Sequence, residues 1–505
     1  MSHQNTIDAS FASISPAEFF YRNRQMAGFG NPTQAVYSTV RELVENSLDS
    51  CDDAQTYPSI DVVIQNVQSD LITIKVSDNG TGVPTDQVPE AFGRVLYGSK
   101  YSQQQKRGTF GLGVTMAILY GQITTDSPVV IHTRTQDNKG FIYRLLVDVE
   151  NNSPVIECKE PLNRSQIGTT VIVQLKGDLN RAQERIIEYL RLSTISTPHS
   201  TITLSIDDEM HLNLGGWSRN IPAPIRPSKP HPRSVDMEVL RRLITRHGEA
   251  TLNEFLRKSF QKIGVRTSGR FLKFMNLNPD RIVSDLSRDE LVRLAQALRK
   301  YDGFESPDSK CLSPIGKVEF LSAVKSVFNV RFAEYSKRGV SEWQGNPFVI
   351  ESIIATGDDF PRSDVPTLYR FVNRVPLLYD ANEDILTRVL KRVNWSRYGI
   401  STSEPVTMFI HLCSTKIPFK AAGKQSLASI PEIEHESYQL YKELGRKLGK
   451  INRRSKRSAR EAKKMREFSK SFRQIARFST SLAGYDDVPS TDDLVKRLFE
   501  VDIDE

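Results

Sequence analysis

The chain has 505 residues, 38% hydrophobic and 25% charged, with a net charge of +8. That length suggests two to four domains with ordinary cores, and no apolar run reaches the roughly 18 residues of a membrane span. Four cysteines (Cys51, Cys158, Cys311, Cys413) stand far apart without a C-x-x-C pair, which argues against a disulfide framework or a zinc site and for a reducing cytoplasm. The opening MSHQNTIDASF has neither the basic nor the apolar region of a secretory leader. Basic charge is clustered. Residues 441–480 hold 15 Lys/Arg against 3 Glu, a local +12 within the total of +8. Residues 226–275 hold 12 Lys/Arg against 4 Asp/Glu. Such clusters suit a polyanion such as nucleic acid, or form a solvated face.

In chain order, SPAEFF (15–20) is a Ser-Pro-x-Glu helix start. PTQAVYSTVRELVENSLDSC (32–51) predicts a long amphipathic helix. One face carries Glu42, Glu45, Asn46 and Asp49, and another carries Val36, Val40, Leu43 and Ser47. IDVVIQN and DLITIKVSD read as paired strands. A glycine-bearing stretch (80–113), a helix from Val114 and the strands VVIHTRT, FIYRLLVDV and TTVIVQL follow. This order predicts an α+β fold with a largely antiparallel sheet and helices on one face. The five prolines of 221–234 mark a stiff linker. Residues 235–305 read as helical, about 312–425 as mixed, and 432–479 as one long helix. In that helix Met465, Phe468, Phe472 and Ile475 form a 3,4,3 seam suited to another helix, while 449–464 suits solvent. The acidic end has a Ser-x-x-Asp cap before LVKRLF and reads as a short docking helix or a disordered tail.

Four elements carry chemistry together: Glu42 with Asn46, VSDNGTG (76–82), GTFGLGVT (108–115) and GTTVIV (168–173). Each alone is weak, since Asp-Asn-Gly is a common turn and glycine loops abound. Combined, they supply the parts of one nucleotide site. Gly108, Gly111 and Gly113 let backbone approach an anion, and the helix after them offers free N–H groups to phosphate. The loop lacks the ending of a P-loop and the βαβ setting of a dinucleotide fold. Asp78 can accept from an adenine amino group. Asn46 can offer an oxygen to magnesium, which takes few protein ligands. Glu42 can deprotonate the attacking water. Thr169 and Thr170 suit adenine contact or strand packing equally. Tyr21 and Phe29 suit an arm exchanged between protomers or plain core packing. His132, His199, His231, His247 and His411 are isolated and read as structural.

The set resembles the GHKL ATPases. FFYRNRQMAGFGNPTQAVYSTVRELVENSLDS, YGSKYSQQQKRGTFGLG, RFVNRVPLLYD and STKIPFKAAGK further resemble the B subunits of DNA topoisomerase VI, over nearly the whole chain. NRVPLLYD, STKIPF and the helical insert set it apart from mismatch-repair and chaperone-type relatives. An intact Glu42 argues against a nucleotide-sensing scaffold that does not hydrolyse. The resemblance implies a Bergerat ATPase α/β sandwich with an N-terminal arm (1–220), a proline linker with a helix-two-turns-helix domain (221–310), an α/β transducer ending in a long helix (311–480) and an acidic tail (481–505). It implies Glu42 as general base, Asn46 as Mg2+ ligand and Asp78 on adenine. Ser99, Lys100, Gly108, Thr109, Phe110, Gly111, Leu112, Gly113, Val114 and Thr115 would hold the phosphates of ATP. Lys424 would be the transducer lysine that reaches the γ-phosphate, with Lys416 and Lys420 as nearby alternatives. ATP-driven self-dimerisation, double-stranded DNA passage, a separate DNA-cleaving A subunit in an A2B2 heterotetramer, and a cytoplasmic or nucleoid location are further implications. The helical insert would contact DNA or act as a solvated spacer.

Overall fold

A computed structural model describes residues 13–98, 105–107, 111–137, 139–163, 166–224, 228–400, 405–420, 424–484 and 486–491. Its first part runs α1 (Pro16–Arg22), α2 (Pro32–Ala54), β1 (Ser59–Asn66), β2 (Leu71–Ser77), α3 (Val88–Gly93), α4 (Gly113–Thr125), β3 (Val129–Arg134), β4 (Gly140–Asp148), β5 (Ser153–Pro161), β6 (Gly168–Lys176), α5 (Leu179–Ser196), β7 (Thr201–Ile206) and β8 (Glu209–Gly215). Helices α6 (Met237–His247), α7 (Leu252–Ser259), α8 (Val265–Met275) and α9 (Arg288–Lys300) follow. The last part is α10 (Lys317–Val327), β9 (Val330–Lys337), β10 (Ser341–Trp343), β11 (Asn346–Gly357), β12 (Thr367–Val372), β13 (Val375–Leu377), α11 (Ile385–Lys391), β14 (Val406–Ser414) and α12 (Pro431–Leu482).

The first eight strands form one sheet in the order β5-β4-β3-β6-β2-β1-β7-β8. Only β1 with β7 pairs in parallel, so the predicted largely antiparallel sheet is present. Alternation sets which face is buried: Ile72, Ile74 and Val76 of β2 point into the core. There they meet Val40, Leu43 and Val44 of α2 and Met116 and Leu119 of α4. Helix α2 starts where the sequence signals it: Asn31 accepts from the Gln34 N–H at 2.8 Å, with Pro32 in the first turn. The Ser15 cap of α1 likewise accepts from the Glu18 N–H.

The second sheet is covered on both faces, which is why β11 and β14 are buried along almost their whole length. Ile350 and Ile354 face Leu386 of α11 and Leu440, Tyr441 and Leu444 of α12. Ile353 and Ala355, of opposite parity, face Phe320 of α10 and Leu192 and Ile195 of α5. Helix α5 belongs to the first sheet's layer, so this cluster joins the two sheets in one packed unit. Burying each of Leu192 and Ile195 there contributes about 1.5–3 kcal/mol. Helices α6–α9 have their own core around Leu240, Phe255, Phe271 and Leu298. The start of α9 is set by a reciprocal Ser287/Glu290 capping box.

Two expectations sharpen. Phe29 is buried against Tyr120, with ring centroids 5.7 Å apart, so core packing describes it, whereas Tyr21 is exposed. Among the described residues the seam on α12 stays open: Met465, Phe468 and Ile475 are exposed, as are Phe478 and Leu482. The cap before LVKRLF falls largely outside the described residues. Among the described residues no helix is long and apolar enough to cross a membrane.

Candidate nucleotide site

A cavity of about 540 Å³ opens between α2, the turn after β2 and the start of α4, a volume suited to a small organic ligand. Helical spacing puts Glu42 and Asn46 one turn apart on its wall. The Asn46 Nδ2 donates to the Glu42 carbonyl at 2.8 Å. That bond identifies the nitrogen end of the amide, and the other end, Oδ1, is the atom type a hard cation takes. Asn46 on a wall shared with phosphate-type backbone therefore fits magnesium, which takes most of its ligands from phosphate and water.

Asp78 follows directly after β2 and is buried. Its Oδ2 accepts from Ser47 Oγ at 2.9 Å, and its Oδ1 accepts from the N–H groups of Gly80 at 2.9 Å and Thr169 at 3.2 Å. Strand β6, the turn after β2 and α2 thus clamp one carboxylate at the cavity edge. Gly168 makes the clamp possible: its φ is +135°, and a Cβ there would overlap the Asp78 carbonyl. Thr169 lines the cavity, while Thr170 Oγ1 bonds Ser77 Oγ at 3.0 Å across the strand pair.

Gly111, Leu112, Gly113, Val114 and Thr115 all line the same cavity. The N-terminus of α4 therefore presents its first N–H groups there, as an anion site requires. A Cβ at Gly113 would fall on the Glu42 carboxylate, so any larger residue there would require that carboxylate to move. Ser99, Lys100, Gly108, Thr109 and Phe110 lie outside the described residues.

Lys424 arrives from the chain between β14 and α12 and is buried at the same cavity. Its Nζ donates to the Arg107 carbonyl at 2.7 Å and lies 3.6 Å from Glu45 Oε2. Its φ of 53° is left-handed, a conformation that needs tertiary support in a lysine. The other two lysines turn elsewhere. Lys420 meets Glu383 at 3.2 Å, and Lys416 sits over the Trp343 ring at 5.9 Å.

Glu45 and Asp49, on the same helical face as Glu42 and Asn46, are both buried. Glu45 lies 3.5 Å from Arg41 Nε, and among the described residues neither of its oxygens has a hydrogen-bond partner. Burial pushes its carboxyl up to about 7, against the downward pull of Lys424. Arg41 also holds Glu42 Oε1 at 2.5 Å. Burial opposes the charge of Arg41, but Glu42 and Glu45 more than offset it and keep the guanidinium protonated. Asp49 accepts from Arg107, which also meets Asp52 at 2.7 Å. Burial disfavours the Asp52 charge, yet Arg107 and His199 hold its carboxyl well below the ordinary range. His199 faces the half-buried Asp52 and His411 the buried Glu351, as a structural role implies. Arg41 and Arg107 were missed by motif reasoning. Their only sequence signals are adjacency, Arg41 to Glu42 and Arg107 to the glycine loop.

A family model described as "Topoisomerase VI B subunit, transducer" matches residues 307–464. Another, described as "Histidine kinase-, DNA gyrase B-, and HSP90-like ATPase", matches residues 31–177. The B subunit of type 2 DNA topoisomerase 6 from Saccharolobus islandicus is 37% identical over 474 residues, covering 92% of this chain and 89% of that protein. The proteins of the same name from Metallosphaera sedula and Saccharolobus shibatae match with the same figures. Among solved structures, the ATPase region of Saccharomyces cerevisiae topoisomerase II aligns at a TM-score of 0.41 and 12% identity, covering 84% of this chain and 91% of that one.

Proposed function

The chain belongs to the family of type 2 DNA topoisomerase 6 B subunits, and from that premise we propose that it is the ATP-binding and ATP-hydrolysing component of a type IIB topoisomerase. The observation that carries this reading is the meeting of Glu42, Asn46, Asp78, the 111–115 backbone and Lys424 on one cavity. Lys424 comes from the second sheet's part of the chain, so nucleotide chemistry and domain position share a residue.

Asp78 orients the adenine amino group. The N-terminus of α4 receives phosphate oxygens through its backbone N–H groups. Glu42 takes the proton of the attacking water. Lys424 offsets charge on the transferring phosphoryl group and registers whether it is present. Asn46 would hold magnesium, which when bound would offset negative charge on the phosphates.

Two copies bind ATP, dimerise through their N-terminal parts and close round a DNA duplex; hydrolysis reopens them. The divisions at 1–220, 221–310, 311–480 and 481–505 are the units that move. DNA cleavage belongs to a separate A subunit. Exposed Phe468, Ile475, Phe478 and Leu482 on α12 make that helix its docking element, with a cytoplasmic or nucleoid location. The test is ATP-dependent decatenation by this chain together with a candidate A subunit, with ultracentrifugation of the chain alone. A non-hydrolysable ATP analogue should convert monomer to dimer; a persistent monomer, or decatenation that ignores ATP, refutes the reading.

A further inference from the structure

Residues 105–107 are fastened on two sides. Toward α2, Lys106 Nζ donates to the Asp49 carbonyl at 3.3 Å, and Arg107 pairs with Asp49 at 3.1 Å and Asp52 at 2.7 Å. Toward the second sheet, the buried Gln105 side chain makes three hydrogen bonds. Its Nε2 donates to the Cys311 carbonyl. Its Oε1 accepts from the Ser313 N–H at 3.0 Å and from the Cys413 thiol at 2.9 Å. Gln105 has a φ of 58°, a left-handed conformation that a glutamine holds only with such support.

The segment Gln105 grips is itself rigidly held. Glu351 of β11 accepts from the Ile315 N–H at 2.6 Å and the Gly316 N–H at 3.1 Å, and pairs with His411 at 2.7 Å. Arg374 donates to Ser313 Oγ at 3.1 Å, and its backbone N–H donates to His411 Nε2 at 3.1 Å. Two residues beyond Gln105 stands the Arg107 carbonyl that seats Lys424. Lys424 travels with the second sheet and Arg107 is fastened to α2. Gln105 crosses that boundary beside them.

We propose that Gln105 is a positioning residue: it ties the Arg107 seat to the 311–316 segment and so keeps Lys424 in register with the nucleotide wall. The proposal rests on the reading of Lys424 as the group that meets the γ-phosphate. The amide supplies both the donor and the acceptor of the tie. A methionine of similar length supplies neither the donor nor the acceptor, and a glutamate keeps the acceptor but not the donor.

The test uses the full chain with Gln105→Met. ATP hydrolysis should show kcat lowered about tenfold or more, as loss of register costs, with KM for ATP changed less than about twofold. Adding Lys424→Ala to Gln105→Met should lower kcat little beyond Lys424→Ala alone, because both act through one lysine. Exchange of the Ser313 amide hydrogen should quicken in Gln105→Met and less in Gln105→Glu. A wild-type kcat in Gln105→Met, losses that multiply in the double variant, or an unchanged Ser313 amide each overturn the proposal. If Gln105→Met does not fold, Gln105→Glu is scored on kcat and on the double variant with Lys424→Ala, since it loses the donor to Cys311 but keeps the acceptor of the Ser313 amide. If the wild-type chain does not hydrolyse ATP, the functional reading falls, and the tie still stands or falls on the Ser313 amide.

Discussion

Lys424 Nζ donates to the carbonyl of Arg107 at 2.7 Å, joining residues 317 positions apart. One end belongs to the chain that leaves β14, the other to the segment that leads into the glycine loop. This hydrogen bond spans the boundary between the two sheets at the mouth of the nucleotide cavity. It gives the transducer a direct hold on the site.

Lys424→Ala should lower kcat for ATP hydrolysis by about 10²–10³, the usual cost of losing one preorganised charge-stabilising donor. Lys416→Ala and Lys420→Ala should leave it near wild type, since those side chains engage Trp343 and Glu383 instead. Steady-state kinetics of the three variants distinguishes them; equal losses would return the choice among the lysines to open.

Glu42→Gln keeps the shape of the wall and removes the base. Nucleotide affinity should stay near wild type while kcat falls by about 10²–10⁴. Isothermal titration with a non-hydrolysable analogue, beside single-turnover hydrolysis, separates the two. Undiminished turnover would remove Glu42 from the base role.

Gly113→Ala puts a methyl group on the Glu42 carboxylate. The carboxylate must move, so kcat should fall by about 10² or more. The fold should lose about 1–3 kcal/mol from the overpacking. Urea denaturation and hydrolysis rates measure both. A fully active variant would show that Glu42 has room to shift.

Glu45 gives stability a pH dependence of determined sign. Its folded carboxyl titrates at about 7 against an ordinary 4.5, because burial disfavours its charge. Between those values the folded state holds more protons than the unfolded one, so this group's contribution falls as pH rises through the window. Glu45→Gln should flatten that part of the profile. Denaturant midpoints at about pH 5 and about pH 8 check it, and an unchanged slope in Glu45→Gln would assign the effect to another group.

Much of the nucleotide wall was legible before any fold was known. Local chemistry carries it: the four-residue spacing from Glu42 to Asn46, the turn after a strand at Asp78, and glycines before a helix are each dictated within a few residues. The helical insert and the long last helix were legible for the same reason, as periodicity is local. Strand β5 was not singled out, because an edge strand with exposed Val155 and Ile156 lacks a clear inward alternation. The seam on α12 was legible as a pattern, but not whether this chain would cover it.

The sequence by itself determined which residues could form the cavity wall, because the chemistry of a carboxylate, an amide and a glycine-flanked helix start is set by neighbours. Only the tertiary structure decided which of three lysines reaches the cavity, that Glu45 and Asp49 are buried beneath it, and that Gln105 bridges to Cys311, Ser313 and Cys413. Those contacts join segments far apart in the chain. Their partners are chosen by how two sheets pack around α5, and no local spacing encodes that.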